Sequence, residues 1–247
     1  MRWSWRVARL AGIGIYVHVT FLLLVLWIVA QEYTFGARAV IGSMAYIVAL
    51  FAIVVLHEMG HALMARRFGV MTRDIILLPI GGVARLEGMP RNPRQELLIA
   101  LAGPAVNVAL ATLLFAIVRL TGQPPTADLY EFDPLYSARA FLYQLVFVNI
   151  ILGLFNLLPA FPMDGGRVLR ALLAMRMQSY ARATTIAARV GQVLALLLGA
   201  VGLYAFRNPF WVLIAVFVWM GAGTEARAVR AASGELPPAP HPHSQSS

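Results

Sequence analysis

Residues 51–69 read FAIVVLHEMGHALMARRFG, an apolar run that carries two histidines and a glutamate before Arg66 and Arg67 close it. Polar, metal-loving groups are expensive in such a setting, and ionisable residues inside apolar spans usually serve function. The setting is set by the whole chain: of 247 residues, 60% are hydrophobic and 13% charged, more apolar and less charged than ordinary soluble domains. A helix crossing the hydrocarbon needs about 20 mainly apolar residues. Stretches of that kind lie at 17–30, 39–65, 97–118, 141–158, 186–205 and 209–223, with only Arg207, Asn208 and Pro209 between the last two. The expected fold is an all-α membrane protein of about six transmembrane helices, filling residues 1–232 as one domain.

The first apolar stretch follows Arg2, Arg6 and Arg9 in the manner of a signal peptide. It has no small-residue cleavage site and a second long span follows it, so it reads as a retained helix. With no cysteine in the chain, disulfides and thiolate metal sites are excluded, and a metal must be held by histidine and carboxylate. The net charge of +9 is explained by topology. With an inside N-terminus, the outer segments hold only Arg38, Arg119, Arg139 and Arg207, and the remaining arginines fall inside. This is the positive-inside pattern, with both termini cytoplasmic, and the basic segments suit anionic headgroups. Basic residues interleaved with aromatics for stacking nucleic acid are not seen, so no nucleic-acid partner is expected.

Outside the spans, GIGIYVHVT alternates Ile13, Ile15, Val17 and Val19, which predicts a short strand. VMTRDIILLPIGGVARLEG, residues 70–88, reads as a hairpin around Pro79, Gly81 and Gly82. Both fall on the cytoplasmic side, where they can pair into a short sheet. Span four runs into Pro159 and Pro162, so its end should unwind. Residues 233–247, SGELPPAPHPHSQSS, read as a disordered tail.

His57 and His61, four residues apart, share one face of a helix. Both imidazoles can then reach one ion, while Glu58 lies beside it. Zinc lowers the pKa of a bound water to about 7, and an adjacent carboxylate can take its proton; this is the logic of the H-E-x-x-H motif. A catalytic zinc normally has three protein ligands. Of the eleven acids, Glu32, Asp128, Glu131 and Asp133 belong to outer loops, and Asp74, Glu87, Glu96, Glu225 and Glu235 to cytoplasmic segments or helix ends. Apart from Glu58, that leaves Asp164, just past span four at the same end as the two histidines. His57 lies nine residues before Arg66, about 13 Å at 1.5 Å per residue, which matches that depth. His18 reads as an interfacial residue, and His241 and His243 as solvated tail residues.

HEMGH in the second span, LAGPAVN opening the third and NLLPAFPMDGGRVLR ending the fourth together resemble the site-2 protease family of intramembrane zinc metalloproteases, in its short six-span bacterial and archaeal form. The resemblance covers about residues 10–225. It implies one Zn2+ per chain bound by His57, His61 and Asp164, with Glu58 activating the water. It also implies that Asn156 orients substrate or stabilises the oxyanion. The substrate class it implies is a transmembrane helix of another membrane protein, unwound before cleavage in regulated intramembrane proteolysis. The 70–87 hairpin offers that segment a strand edge by β-augmentation. No PDZ-like insertion or CBS-type module is seen, so gating by such modules is not expected; a regulatory membrane protein or a homo-oligomer remains open. Two alternatives stand beside this reading: a metal- or proton-linked transporter, which has no need of a non-ligand base such as Glu58, and a catalytically silent helix-binding scaffold, against which the intact set of four residues argues.

Overall fold

In the computed structural model, the described residues are 3–79, 81–88, 92–120, 138–177 and 179–232. The chain forms two compact units, Met1–Leu157 and Leu158–Ser247.

The first unit opens with β1 (Ser4–Leu10) and β2 (Ile13–His18), which pair antiparallel. Their two-residue turn has positive φ at both Ala11 (48°) and Gly12 (89°), the combination of a type I′ hairpin, whose twist matches that of the strands. Arg66 donates to the Ala11 carbonyl at 3.1 Å, tying this turn to the end of α2. The helix α1 (Thr20–Glu32) and a 3₁₀ turn at Tyr33–Phe35 lead into α2 (Ala37–Arg67). Next come β3 (Thr72–Leu78), β4 (Gly81–Leu86), α3 (Pro93–Leu120) and α4 (Ala138–Asn156).

The sheet order is β1-β2-β3-β4, with β2 parallel to β3 and β3 antiparallel to β4. The alternation read at residues 13–19 is the cause of the pairing with α2. Ile13 and Ile15 of β2, with Ile75 and Leu77 of β3, bury one face of the sheet against Phe51, Val54, Val55, Met59 and Ala62 of α2. The motif-bearing turns of α2 are thereby held between this sheet and α3. The strand β1 was not expected. Its residues are mostly exposed, so no buried alternation marks it, and it forms by adding to an edge already built.

Among the described residues, five helices are long and apolar enough to cross a membrane: Ala37–Arg67, Pro93–Leu120, Ala138–Asn156, Tyr180–Tyr204 and Phe210–Val229. The sixth expected span is the shorter apolar stretch Thr20–Phe35. Its regular α-helical part, 13 residues, is about 20 Å long against a hydrocarbon core of about 30 Å.

The second unit begins where span four was expected to unwind. Turns at residues 158–163 precede α5 (Asp164–Met177), followed by α6 (Tyr180–Tyr204) and α7 (Phe210–Ala232). The amphipathic α5 was missed because its arginines remove it from any search for spans. Phe161 packs with Ala187, Ala188 and Ala222. Arg170, 1% exposed, stacks over the rings of Phe161 (5.0 Å) and Tyr180 (4.9 Å) and forms an ion pair with Glu225. The expected tail at 233–247 and the acids Asp128, Glu131, Asp133 and Glu235 lie outside the described residues.

Candidate metal centre

His57 and His61 are each 4% exposed. Their i, i+4 spacing turns both rings to the α3 side of α2, with Nε2 of one 3.1 Å from Nε2 of the other. Two Zn–N bonds of about 2.0–2.1 Å in tetrahedral geometry set their nitrogens about 3.3 Å apart, so the pair fits a shared ion. The far nitrogen of each ring is also engaged. His61 Nδ1 lies 2.7 Å from the Ile99 carbonyl, so it donates there and leaves the Nε2 lone pair facing His57. His57 Nδ1 lies 3.1 Å from the side-chain amide of Asn107.

Helix α3 supplies this second layer because it packs closely on α2. Gly103 faces the two rings: a Cβ built there would stand 2.7 Å from His57 Nε2, 2.6 Å from His61 Cε1 and closer still to His61 Nε2. The missing side chain leaves room at the point toward which both nitrogens converge. Pro104, one residue on and inside α3, removes the helical donor of the Ala100 carbonyl, which loosens the turn beside Ile99. Gly103 and Asn107 were legible only as parts of LAGPAVN, one of the three motifs that carry the resemblance; no local pattern assigns Asn107 to the histidine.

Glu58, on the next position of α2, turns toward β4. A Cβ on Gly82 would come 2.9 Å from Glu58 Cγ and 3.3 Å from its Oε1, so the backbone of β4, an edge strand of the sheet, lies directly against this carboxylate side chain. The hairpin is pinned by the ion pair of Asp74 with Arg85. Their hydrogen bond, above all, raises the Arg85 pKa, so the guanidinium stays charged at every working pH. Asp74 and Glu96, set aside as cytoplasmic or helix-end acids, are both buried; Asp74 serves this pair, and Glu96 sits in the first turn of α3.

Asn156 ends α4, and its Nδ2 donates back to the Leu152 carbonyl at 3.0 Å. Asn149, fully buried, bonds to Leu145 O at 2.8 Å in the same way and lines a cavity of about 390 Å³ between α3 and α4. His18 accepts from the Thr20 N–H at 3.3 Å at the start of α1, an end-of-helix role consistent with its interfacial reading. In the second unit, Asp164 is the first residue of α5 and is 8% exposed. The segment leading to it is closely surrounded: Gly166 abuts Phe161 N, Gly191 abuts Ala160, and Gly221 abuts Pro162.

Thus a membrane-type helical fold carries two buried histidines with converging nitrogens and an adjoining carboxylate, the arrangement of a metallohydrolase centre. The model of peptidase family M50 matches residues 45–198, and the chain belongs to that family. It is 38% identical over 229 residues to a zinc metalloprotease of Methanocaldococcus jannaschii, covering 93% of this chain and 62% of that protein. It is 31% identical over 155 residues to stage IV sporulation protein FB of Bacillus subtilis, covering 62% of this chain and 46% of the relative. The chain therefore spans about half to three fifths of the length of these relatives. Among solved structures, the site-2 protease from Methanocaldococcus jannaschii matches with a TM-score of 0.64 and 36% identity, covering 91% of this chain and 96% of that one.

Proposed function

We propose that this protein is an intramembrane zinc endopeptidase that hydrolyses a peptide bond within or near a transmembrane segment of another membrane protein. The observation that carries the reading is the His57–His61 pair, with its Nε2 atoms 3.1 Å apart and Glu58 beside it in a membrane-type helix. In this reading the two units work together as one protease domain, residues 1–232. Two histidines leave a catalytic zinc one protein ligand short, and Asp164, a buried carboxylate at a helix start, supplies it.

Zinc in such a site supplies Lewis acidity, making water acidic enough to deprotonate near neutral pH and polarising the scissile carbonyl. The chain's own groups do the rest. Glu58 takes the proton as water adds to the carbonyl carbon, and returns it to the amide nitrogen as the C–N bond breaks, releasing a carboxylate and an amine. Asn156 assists at the developing oxyanion. Its Nδ2 gives one N–H to Leu152 O, which leaves the second N–H of the amide to donate to substrate. The edge strand β4 holds the unwound substrate segment by main-chain pairing, beside Glu58. The arginine distribution supports an inner (plasma) membrane location with both termini cytoplasmic. Substrates are membrane proteins with a transmembrane helix, and the lipid bilayer is the solvent for both partners.

The test is co-expression with single-span candidate substrates. Glu58→Gln should cut cleavage by orders of magnitude while zinc stays bound, and Asp164→Ala should lose both. Cleavage that persists unchanged in Glu58→Gln removes the assignment.

A further inference from the structure

We infer that Asn107 is a positioning residue for the metal: its side-chain oxygen accepts the Nδ1–H of His57 and so fixes the ring in the tautomer that presents the Nε2 lone pair to zinc. This rests on the metal-site reading above and goes beyond it, since no part of the motif assigns Asn107 a role.

The two histidines reach the same point by different anchors. His61 is oriented by a backbone carbonyl, Ile99 O, at 2.7 Å. A carbonyl only accepts, so the tautomer of His61 is fixed by the fold. His57 Nδ1 instead meets the carboxamide of Asn107 at 3.1 Å, and Asn107 is fully buried. A carboxamide has the same shape with its oxygen or its nitrogen forward, and only the bonding decides which end faces His57. With Nδ2 forward, Oδ1 of Asn107 is a buried oxygen without a hydrogen-bond partner among the described residues. His57 Nδ1 must then accept, so its proton sits on Nε2 and points at His61 Nε2, 3.1 Å away, where it blocks coordination. With Oδ1 forward, Asn107 keeps one hydrogen bond, His57 Nδ1 donates, and both Nε2 lone pairs face the ion. The bond count is unchanged by the rotation, so a metal shared by the two rings selects the second arrangement. The α4 side does not crowd the amide: even a Cβ at Gly153 would be 3.6 Å from Asn107 Cβ and 3.9 Å from its amide nitrogen, ordinary contact distances.

The experiment uses the full-length chain in detergent micelles and reads zinc affinity by competition with a chromophoric chelator. Removing an outer-shell partner of a metal-bound histidine costs about 10–100-fold in affinity, so Asn107→Leu should bind zinc that much more weakly while its melting profile shows a folded protein. Asn107→Asp, which keeps an acceptor and loses the donor, should stay within about threefold of wild type; a donor-forward Asn107 predicts the reverse. Nitrogen-15 spectra of the histidine rings in zinc-loaded wild type give a readout that needs no variant, and should show His57 protonated at Nδ1. Wild-type affinity in Asn107→Leu, equal loss in the Asp and Leu variants, or a His57 proton on Nε2 overturns the inference. Wild type that binds no zinc overturns the metal-site reading itself, and this inference with it.

Discussion

Gly103→Ala is a substitution for which helix propensity and tertiary geometry give opposite answers. Gly103 lies inside α3, where replacing glycine by alanine should stabilise the helix by about 0.8–1 kcal/mol. The new methyl, however, would stand 2.7 Å from His57 Nε2 and 2.6 Å from His61 Cε1. Ordinary carbon contacts need about 3.5 Å or more, so both rings must retreat by about 1 Å. A retreat of that size takes His61 Nδ1 off Ile99 O, now 2.7 Å away, and His57 Nδ1 off Asn107, now 3.1 Å away. Overpacking of this kind typically costs about 1–3 kcal/mol, so net stability should change by no more than about 2 kcal/mol. The metal is affected far more, because the methyl lies within bonding reach of both nitrogens. Zinc affinity should fall at least about 100-fold, and cleavage by at least as much, given that a 1 Å misplacement alone can cost about 10²-fold. The assay pairs chelator competition with cleavage of a co-expressed substrate. Gly153→Ala serves as control, since its Cβ would meet Asn107 at an ordinary 3.6 Å; it should keep zinc and gain stability. A Gly103→Ala protein with wild-type zinc affinity would refute the placement of the pair.

Other outcomes separate the base from the ligands and the hairpin from the core. Gly82→Ala pushes a methyl to 2.9 Å from Glu58 Cγ and 3.0 Å from Val54 Cγ1, so cleavage should drop about tenfold or more with zinc content intact; loss of zinc would show that β4 bears on the ligands instead. Glu58→Gln should cut turnover by about 10²–10⁴-fold, the usual contribution of a general base, at unchanged metal stoichiometry. Arg170→Ala removes a guanidinium held by two rings and Glu225, and should lower stability by about 3 kcal/mol, read as an earlier thermal transition; an unchanged transition would mean that the pair is replaceable by water. Asp74→Ala should cost under about 1 kcal/mol, because Arg85 is one-third exposed in its side chain and solvent screens the pair. The raised Arg85 pKa adds stability that is present below the unfolded pKa and lost only as pH climbs through the folded one, far above working pH. Melting of wild type between pH 7 and 9 should therefore show no pH dependence from this pair.

The amino-acid sequence by itself determined the membrane class, because apolar runs of 18 or more residues declare themselves in composition. It also determined the pairing of His57 with His61 and the flank position of Glu58, since a 3.6-residue period converts spacing directly into direction. The strand at 13–18 and the 72–86 hairpin were legible for the same reason, a local period of two ended by turn residues. Asp164 was singled out by elimination among few acids, a reading of scarcity rather than of geometry, and its ligand role stands as part of the proposal. Only the tertiary structure decided the rest. The strand β1 exists because an edge was available, α5 packs on its apolar face despite its arginines, and Asp74 is buried because Arg85 is opposite in the hairpin. That Gly103 leaves the space between the rings, that Ile99 and Asn107 hold their far nitrogens, and that β4 lies on Glu58 depend on how α3 and the sheet close on α2. Such contacts join residues 24 to 50 positions apart in the chain, and no period along the sequence encodes a distance across a packed interface.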